Sequence, residues 1–186
     1  MHPQLETIAR EFDAATERLR ALGRLAPEEF WTRRPDPSRW SIAECIAHLN
    51  LTSIAYVPLL REGLVRARGL GAGPPGRYHR DPLGWLLWKG AGPPARFRVK
   101  TTPSFVPNAE QTRERLKSEF ERLQNEQLAC VREADGLPIH RITITSPFNQ
   151  RLKYNLYAGL TVLPRHQHRH LWQAEQVWQV VGQRGR

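Results

Sequence analysis

The feature that most constrains the fold is an apolar stripe near the N-terminus: Leu5, Ile8, Phe12, Ala15, Leu19 and Leu22, at alternating steps of three and four. On an α-helix this spacing gathers all of them on one side, with Arg, Glu and Asp on the other. A one-sided stripe has to be covered, so the chain must supply further helices to bury it. Gly23 and Pro27 punctuate the end of the segment.

The remaining sequence supplies three more such segments. Ser41 followed by Glu44 is a capping-box pair that opens a second helix, with Ile42, Cys45, Ile46, Leu49, Ser53 and Tyr56 facing inward. Pro58 is expected to kink that helix or end its regular part. Leu116, Phe120, Leu123 and Gln127 share one face of a third helix, expected to begin at Asn108 with Gln111 three positions on. The last runs from about Asn155 towards Val181, with Leu156, Leu160, Leu163, His170, Ala174, Val177 and Val181 inward and Pro164 permitting a kink.

Between the second and third helices lies GLGAGPPGRYHRDPLGWLLWKGAGPPARFRVKTTPSFVP, broken by three Pro/Gly clusters. Its length leaves two readings open, a functional segment or a packed crossover. After DGLP, the segment HRITITSP suits a short strand, but no alternation of strands and helices supports an α/β fold. The expected fold is all-α: a four-helix bundle with a long, irregular central crossover, in a single domain over residues 1–186.

Charge narrows the partners. Lys+Arg 28 against Asp+Glu 18 gives a formal charge of +10, which attracts anions at long range. The basic residues are scattered over several helical segments, without a zinc-finger spacing, a basic zipper or an RNA-binding aromatic signature. A basic, solvated surface is therefore preferred over a nucleic-acid site. Cys45 and Cys130 form no short-spaced pair and read as buried free thiols. The N-terminus lacks the apolar core of a signal peptide, and no run suggests a membrane span. A soluble, cytoplasmic protein without a membrane partner is expected. A P-loop, a dinucleotide fingerprint and a nucleophile elbow are all missing from the sequence.

The chemistry concentrates in LPRHQHRHLWQAEQV. On a helix His166 and His170 project to the same side one turn apart, whereas His168 points away. Two imidazoles so placed suit a transition metal, but a third ligand is needed. His48, in the apolar run CIAHL, is either that ligand or a hydrogen-bonded core histidine. Glu44, one turn before His48, is compatible with three roles: helix cap, orienter of a ligand, or general base. Gln173 suits either orienting His170 or a bound water, or an ordinary hydrogen bond within the bundle. For Arg169 a salt bridge to a neighbouring acid is preferred over contact with substrate. His79 and His140 lie in connections without a partner at helical ligand spacing. Trp40, Trp172 and Trp178 read as packing anchors.

Taken together, SRWSIAECIAHL and RHQHRHLWQAEQV resemble the DinB-like superfamily of metalloenzymes. The characteristic WSxxExxxHL and HxxRHxxQ segments match Trp40, Ser41, Glu44, His48 and Leu49, then His166, Arg169, His170 and Gln173. The resemblance implies a four-helix bundle whose metal site, open to solvent or substrate, is made by His48, His166 and His170. It implies nickel or zinc as the metal and a homodimer as the assembly. Because related branches include thiol S-transferases and a thiol-dependent isomerase, it also brings in a low-molecular-weight thiol as co-substrate. The expected function is a divalent-metal-dependent enzyme acting on a small molecule, by hydrolysis with a metal-activated water or by transfer of a metal-bound thiol. Glu44 and Gln173 are the candidate catalytic residues. The alternatives are a metal- or small-molecule-binding stress protein without turnover, and a nucleic-acid-binding protein.

Overall fold

The structure is a computed structural model that describes residues 1–71, 73, 76–94, 101–107 and 111–183. Among these residues the elements are α1 (Pro3–Leu25), α2 (Ile42–Gly69), α3 (Pro82–Ala91), α4 (Arg113–Glu133), β1 (Thr143–Thr145), β2 (Lys153–Asn155) and α5 (Leu156–Gln183). The fold is all-α, with a two-stranded antiparallel ribbon that pairs Ile144 with Tyr154. Each of α1 and α2 packs against both α4 and α5. The central crossover adds a fifth helix to the expected four: α3 is ten residues long and lies against α5.

Each helix start has a local cause. The Ser41 hydroxyl accepts from the Glu44 amide at 3.2 Å, and the Glu44 carboxylate accepts from the Ser41 amide at 2.8 Å, which completes the capping box. Thr112 caps α4. The expected start at Asn108 lies outside the described residues. Asp81 caps α3 through Oδ1, and its Oδ2 accepts from the Asn155 amide at 2.9 Å. Asn155 in turn caps α5, because its Oδ1 accepts from the Ala158 amide at 2.8 Å. The starts of α3 and α5 are thereby tied together. Pro58 does not end α2, which continues to Gly69. It sits on the solvent side, and Ile54, whose carbonyl it leaves without a helical donor, is also exposed.

All of the expected stripe residues of α1, α2 and α5 are buried. The core they form is divided. One apolar cluster gathers around Phe12, Leu60 and Leu160, and the other around Leu19, Ile46 and Leu171. Buried Gln124, Gln127 and Gln167 lie between them in sequence along α4 and α5. Gln124 donates to the Phe12 carbonyl at 2.9 Å and accepts from Gln167 at 2.8 Å, while Asn50 donates to the Leu116 carbonyl at 3.0 Å. These bonds offset the cost of burying amides.

By length and composition α2 is the one helix among the described residues apolar enough to cross a membrane, and 72% of its most apolar window is buried inside the fold. Its hydropathy is accounted for by its central position in the packing.

The docking of α3 on α5 rests on Gly84. A Cβ there would stand 2.3 Å from Ala158 Cβ and 2.5 Å from Asp81 Oδ1. Gly90 of the same helix has open space around it. Gly84→Ala is therefore expected to destabilise the protein by about 1–3 kcal/mol through overpacking. Gly90→Ala should be neutral or stabilising by up to about 1 kcal/mol. Urea unfolding of the two variants measures the contrast, and equal midpoints would refute the docking argument.

Candidate metal centre

The capped start of α2 places His48 in its second turn, and the unbroken run of α5 past Pro164 keeps His166 and His170 one turn apart. The three side chains converge. One ligand atom from each lies within 4.8 Å of the others, and among the described residues no carboxylate or thiol joins the group. His48 and His170 are buried, at 2% and 8% exposure, whereas His166 keeps some surface. His168 points elsewhere, as its spacing predicts. Its Nε2 lies 3.1 Å from a Glu11 carboxylate oxygen and its Nδ1 is 3.0 Å from an Arg18 nitrogen.

The protonation pattern follows from the partners. His48 Nδ1 is 2.8 Å from the Phe105 carbonyl oxygen, which can only accept, so Nδ1 carries the proton and Nε2 presents a lone pair. This is the arrangement by which proteins fix the tautomer and direction of a metal-binding imidazole. The Nε2 atoms of His166 and His170 face each other at 3.1 Å. Two nitrogens bound tetrahedrally to one ion at ordinary zinc distances stand about 3.3 Å apart. The donor set therefore fits a divalent transition metal.

All three imidazoles are held neutral. Burial lowers the pKa of His48, partly opposed by the Phe105 bond. Burial, reinforced by His48 and the Arg169 charge, takes His166 down to about 3. His170 falls well below its ordinary value for the same reasons, with His166 added. Gln173 acts on His170 in the opposite direction, although His170 Nδ1 has no hydrogen bond of good geometry. A neutral imidazole is the form a metal requires.

Aromatic rings wall the cluster. Trp40 stands 5.0 Å from His48 and 5.8 Å from His170 between ring centroids. Phe148 lies 6.0 Å from His166 and 4.3 Å from Phe105. Trp40 therefore packs against two of the imidazoles as well as against the apolar core.

The other candidates are distributed as follows. Both Glu44 oxygens are engaged, one by the Ser41 amide and Arg34 Nε at 2.8 Å each, the other by the second arm of Arg34. Arg169 donates to the Gly90 carbonyl at 3.1 Å, which ties α5 to α3. His79 and His140 meet each other, 4.6 Å between centroids, and do not join the three-imidazole group. Cys45 and Cys130 are buried free thiols, pushed up by burial to about 12 and about 11, so neither is a nucleophile near neutral pH.

A sequence model of the DinB superfamily matches residues 11–174, from the middle of α1 to beyond the last imidazole. The chain belongs to the DinB superfamily. No curated protein and no solved structure gives a significant match. The three imidazoles of this DinB chain come from the segments SRWSIAECIAHL and RHQHRHLWQAEQV.

Sequence reasoning missed three participants. Phe105 acts through its main-chain carbonyl, which has no residue-type signature. Arg34 lies in a Pro-rich turn without periodicity, and only its basic charge near the acidic cap hinted at a pair. Phe148 comes from the β1–β2 turn, and the second strand carries no alternating pattern of its own.

Burial raises the Glu44 pKa, but Arg34 and the two Ser41 bonds outweigh it, so the folded-state value is below the ordinary one. Stability from this carboxylate is therefore present above the ordinary carboxylate range and is lost as pH falls through the folded value. Arg34 is 48% exposed, so solvent screens the ion pair and the cap supplies much of the effect. Glu44→Ala should cost about 2 kcal/mol at neutral pH. The gap between parent and variant should shrink below about pH 4, as urea unfolding across pH would show. A gap that widens with acid would contradict the assignment.

Proposed function

We propose that the chain is a divalent-metal-dependent enzyme acting on a small molecule, with His48, His166 and His170 as the ligands. The observation that carries this reading is the orientation of His48. Its Nδ1 is committed to the Phe105 carbonyl, so its free nitrogen faces two further neutral imidazoles. Three protein ligands leave a position for substrate, and imidazole suits both nickel and zinc. When bound, such an ion supplies Lewis acidity that eases deprotonation of a water or thiol.

The residues around the site favour thiol transfer over hydrolysis. Glu44 accepts three hydrogen bonds, from Ser41 and both arms of Arg34, which commits it to the helix start rather than to work as a base. A thiol is acidic enough to need no separate base, whereas water gains from one. Trp40, Phe105 and Phe148 limit water and offer apolar walls to an electrophilic co-substrate. Gln173 is the proposed orienting partner of His170, although the two make no hydrogen bond of good geometry here. A low-molecular-weight thiol is the proposed co-substrate. The two unpaired cysteines fit a reducing, cytoplasmic setting, and a homodimer is the proposed assembly.

Elemental analysis of protein purified without an affinity tag tests the metal. A tightly held divalent ion is expected. His48→Ala, His166→Ala and His170→Ala should each weaken it by more than about 100-fold, beyond the usual effect of losing an orienting contact. Folded parent protein that binds none of nickel, zinc, manganese and iron would overturn the reading. Turnover of thiol plus electrophile pairs should exceed that of hydrolysable esters and amides. Metal binding without turnover of either would leave a binding protein.

A further inference from the structure

A second concentration of chemistry lies on a different face of α5, where α1, α3 and α5 enclose a cavity of about 130 Å³. Two guanidinium groups each lie over one indole there. The central carbon of Arg80 is 4.3 Å from the Trp88 ring centroid and that of Arg165 is 4.2 Å from it. Arg80 is fixed by Thr161: its Nε donates to the Thr161 oxygen at 2.8 Å, while that hydroxyl donates onward to the Ala158 carbonyl at 3.0 Å. The terminal nitrogens of Arg80 are left without a protein acceptor among the described residues. Arg165 Nε is buried and has no hydrogen-bond partner.

Arginines without an ion pair among the described residues are exposed at Arg10, Arg66 and Arg115, whereas Arg80 and Arg165 are half-buried. Arg18, Arg20, Arg34, Arg61, Arg68 and Arg122 each pair with a carboxylate. Arg80 and Arg165 make no ion pair among the described residues. The one carboxylate lining the cavity, Glu11, pairs with neither arginine: it lies 3.1 Å from His168 Nε2 and is 54% exposed, where solvent screens its charge. Burial lowers the Arg80 pKa, Tyr157 raises it and the charge of Arg165 lowers it again, with no acid contributing. Two like charges over one indole, both half-buried, are offset only in part by stacking on the ring. A doubly charged oxyanion would balance them, and guanidinium forks match phosphate oxygens in geometry as well as charge.

We propose that Arg80 and Arg165, gathered on Trp88, form a binding site for the phosphate group of a small molecule, separate from the histidine cluster. The cavity's size suits a free phosphate or the head of a phosphomonoester. Thr161 positions Arg80, and α3 supplies the indole, so this site gives the extra helix of the crossover a function.

Titration of metal-free, full-chain protein tests the site, with the Trp88 indole N–H followed by NMR and affinity read by calorimetry. The probes are inorganic phosphate, glycerol 3-phosphate and acetate. Saturable binding of either phosphate is expected, and their relative affinities tell a free phosphate from an ester. Arg80→Met and Arg165→Met should each weaken it by about tenfold or more. His48→Ala should leave it unchanged, which separates this result from any outcome at the histidines. If a methionine variant does not fold, Arg165→Lys decides: it keeps the charge, loses the fork, and should bind phosphate several-fold more weakly. No saturable shift, unaltered affinity in the arginine variants, or acetate binding as tightly as phosphate would each overturn the proposal.

Discussion

Keeping three imidazoles uncharged and largely out of water is the constraint on which the centre of this molecule depends. A buried polar nitrogen costs free energy unless it is paired. His48 meets that cost with the Phe105 carbonyl, and His166 and His170 meet part of it with each other. The Nδ1 atoms of His166 and His170 gain no hydrogen bond of good geometry. A packed apolar trio would be cheaper here. The expense is understandable if the lone pairs are wanted, because a proton on any of the three would compete with a metal. Low dielectric and mutual repulsion exclude that proton.

Holding such a cluster requires helix starts that do not drift. The height of His48 is set by Ser41 and Glu44, and Arg34 anchors that cap to the preceding turn. At the other side, Asn155 caps α5 while its own amide is held by Asp81, the cap of α3. The ribbon of β1 and β2 feeds directly into that junction and carries Phe148 towards His166 on the turn between its strands. The polar layer of Gln124, Gln127 and Gln167 then fixes α4 and α5 against each other, since a slip would leave amides unpaired.

Much of this was readable from residue types and spacing. The stripe from Leu5 to Leu22, the cap at Ser41 and the inward pair His166 and His170 are all local patterns, and helical periodicity decides them. His48 became a ligand candidate because its segment and the late histidines suit one another across the chain. What escaped has a shared physical character. Phe105 contributes an oxygen that every residue owns. Helix α3 is only ten residues long and is held by a tertiary contact at Gly84 rather than by a strong stripe. The strand from Lys153 to Asn155 exists because a partner lies beside it. Features made by tertiary pairing leave little mark on a window of sequence.

Helix α5 shows why the crossover matters to function. Its period of 3.6 residues sends His166 and His170 towards α2, His168 towards α1, and Thr161 and Arg165 towards α1 and α3. His168 is held by Glu11 and Arg18, and Arg18 grips Glu175, about two turns further on, with two bonds of 2.9 and 2.7 Å. These contacts stop α5 from rotating about its axis. Such a rotation would displace the imidazoles and the Arg165 guanidinium together. The contact of α1 with the middle of α5 therefore sets the geometry on both faces of the helix: it holds no imidazole of the cluster, and its Glu11 borders the arginine cavity.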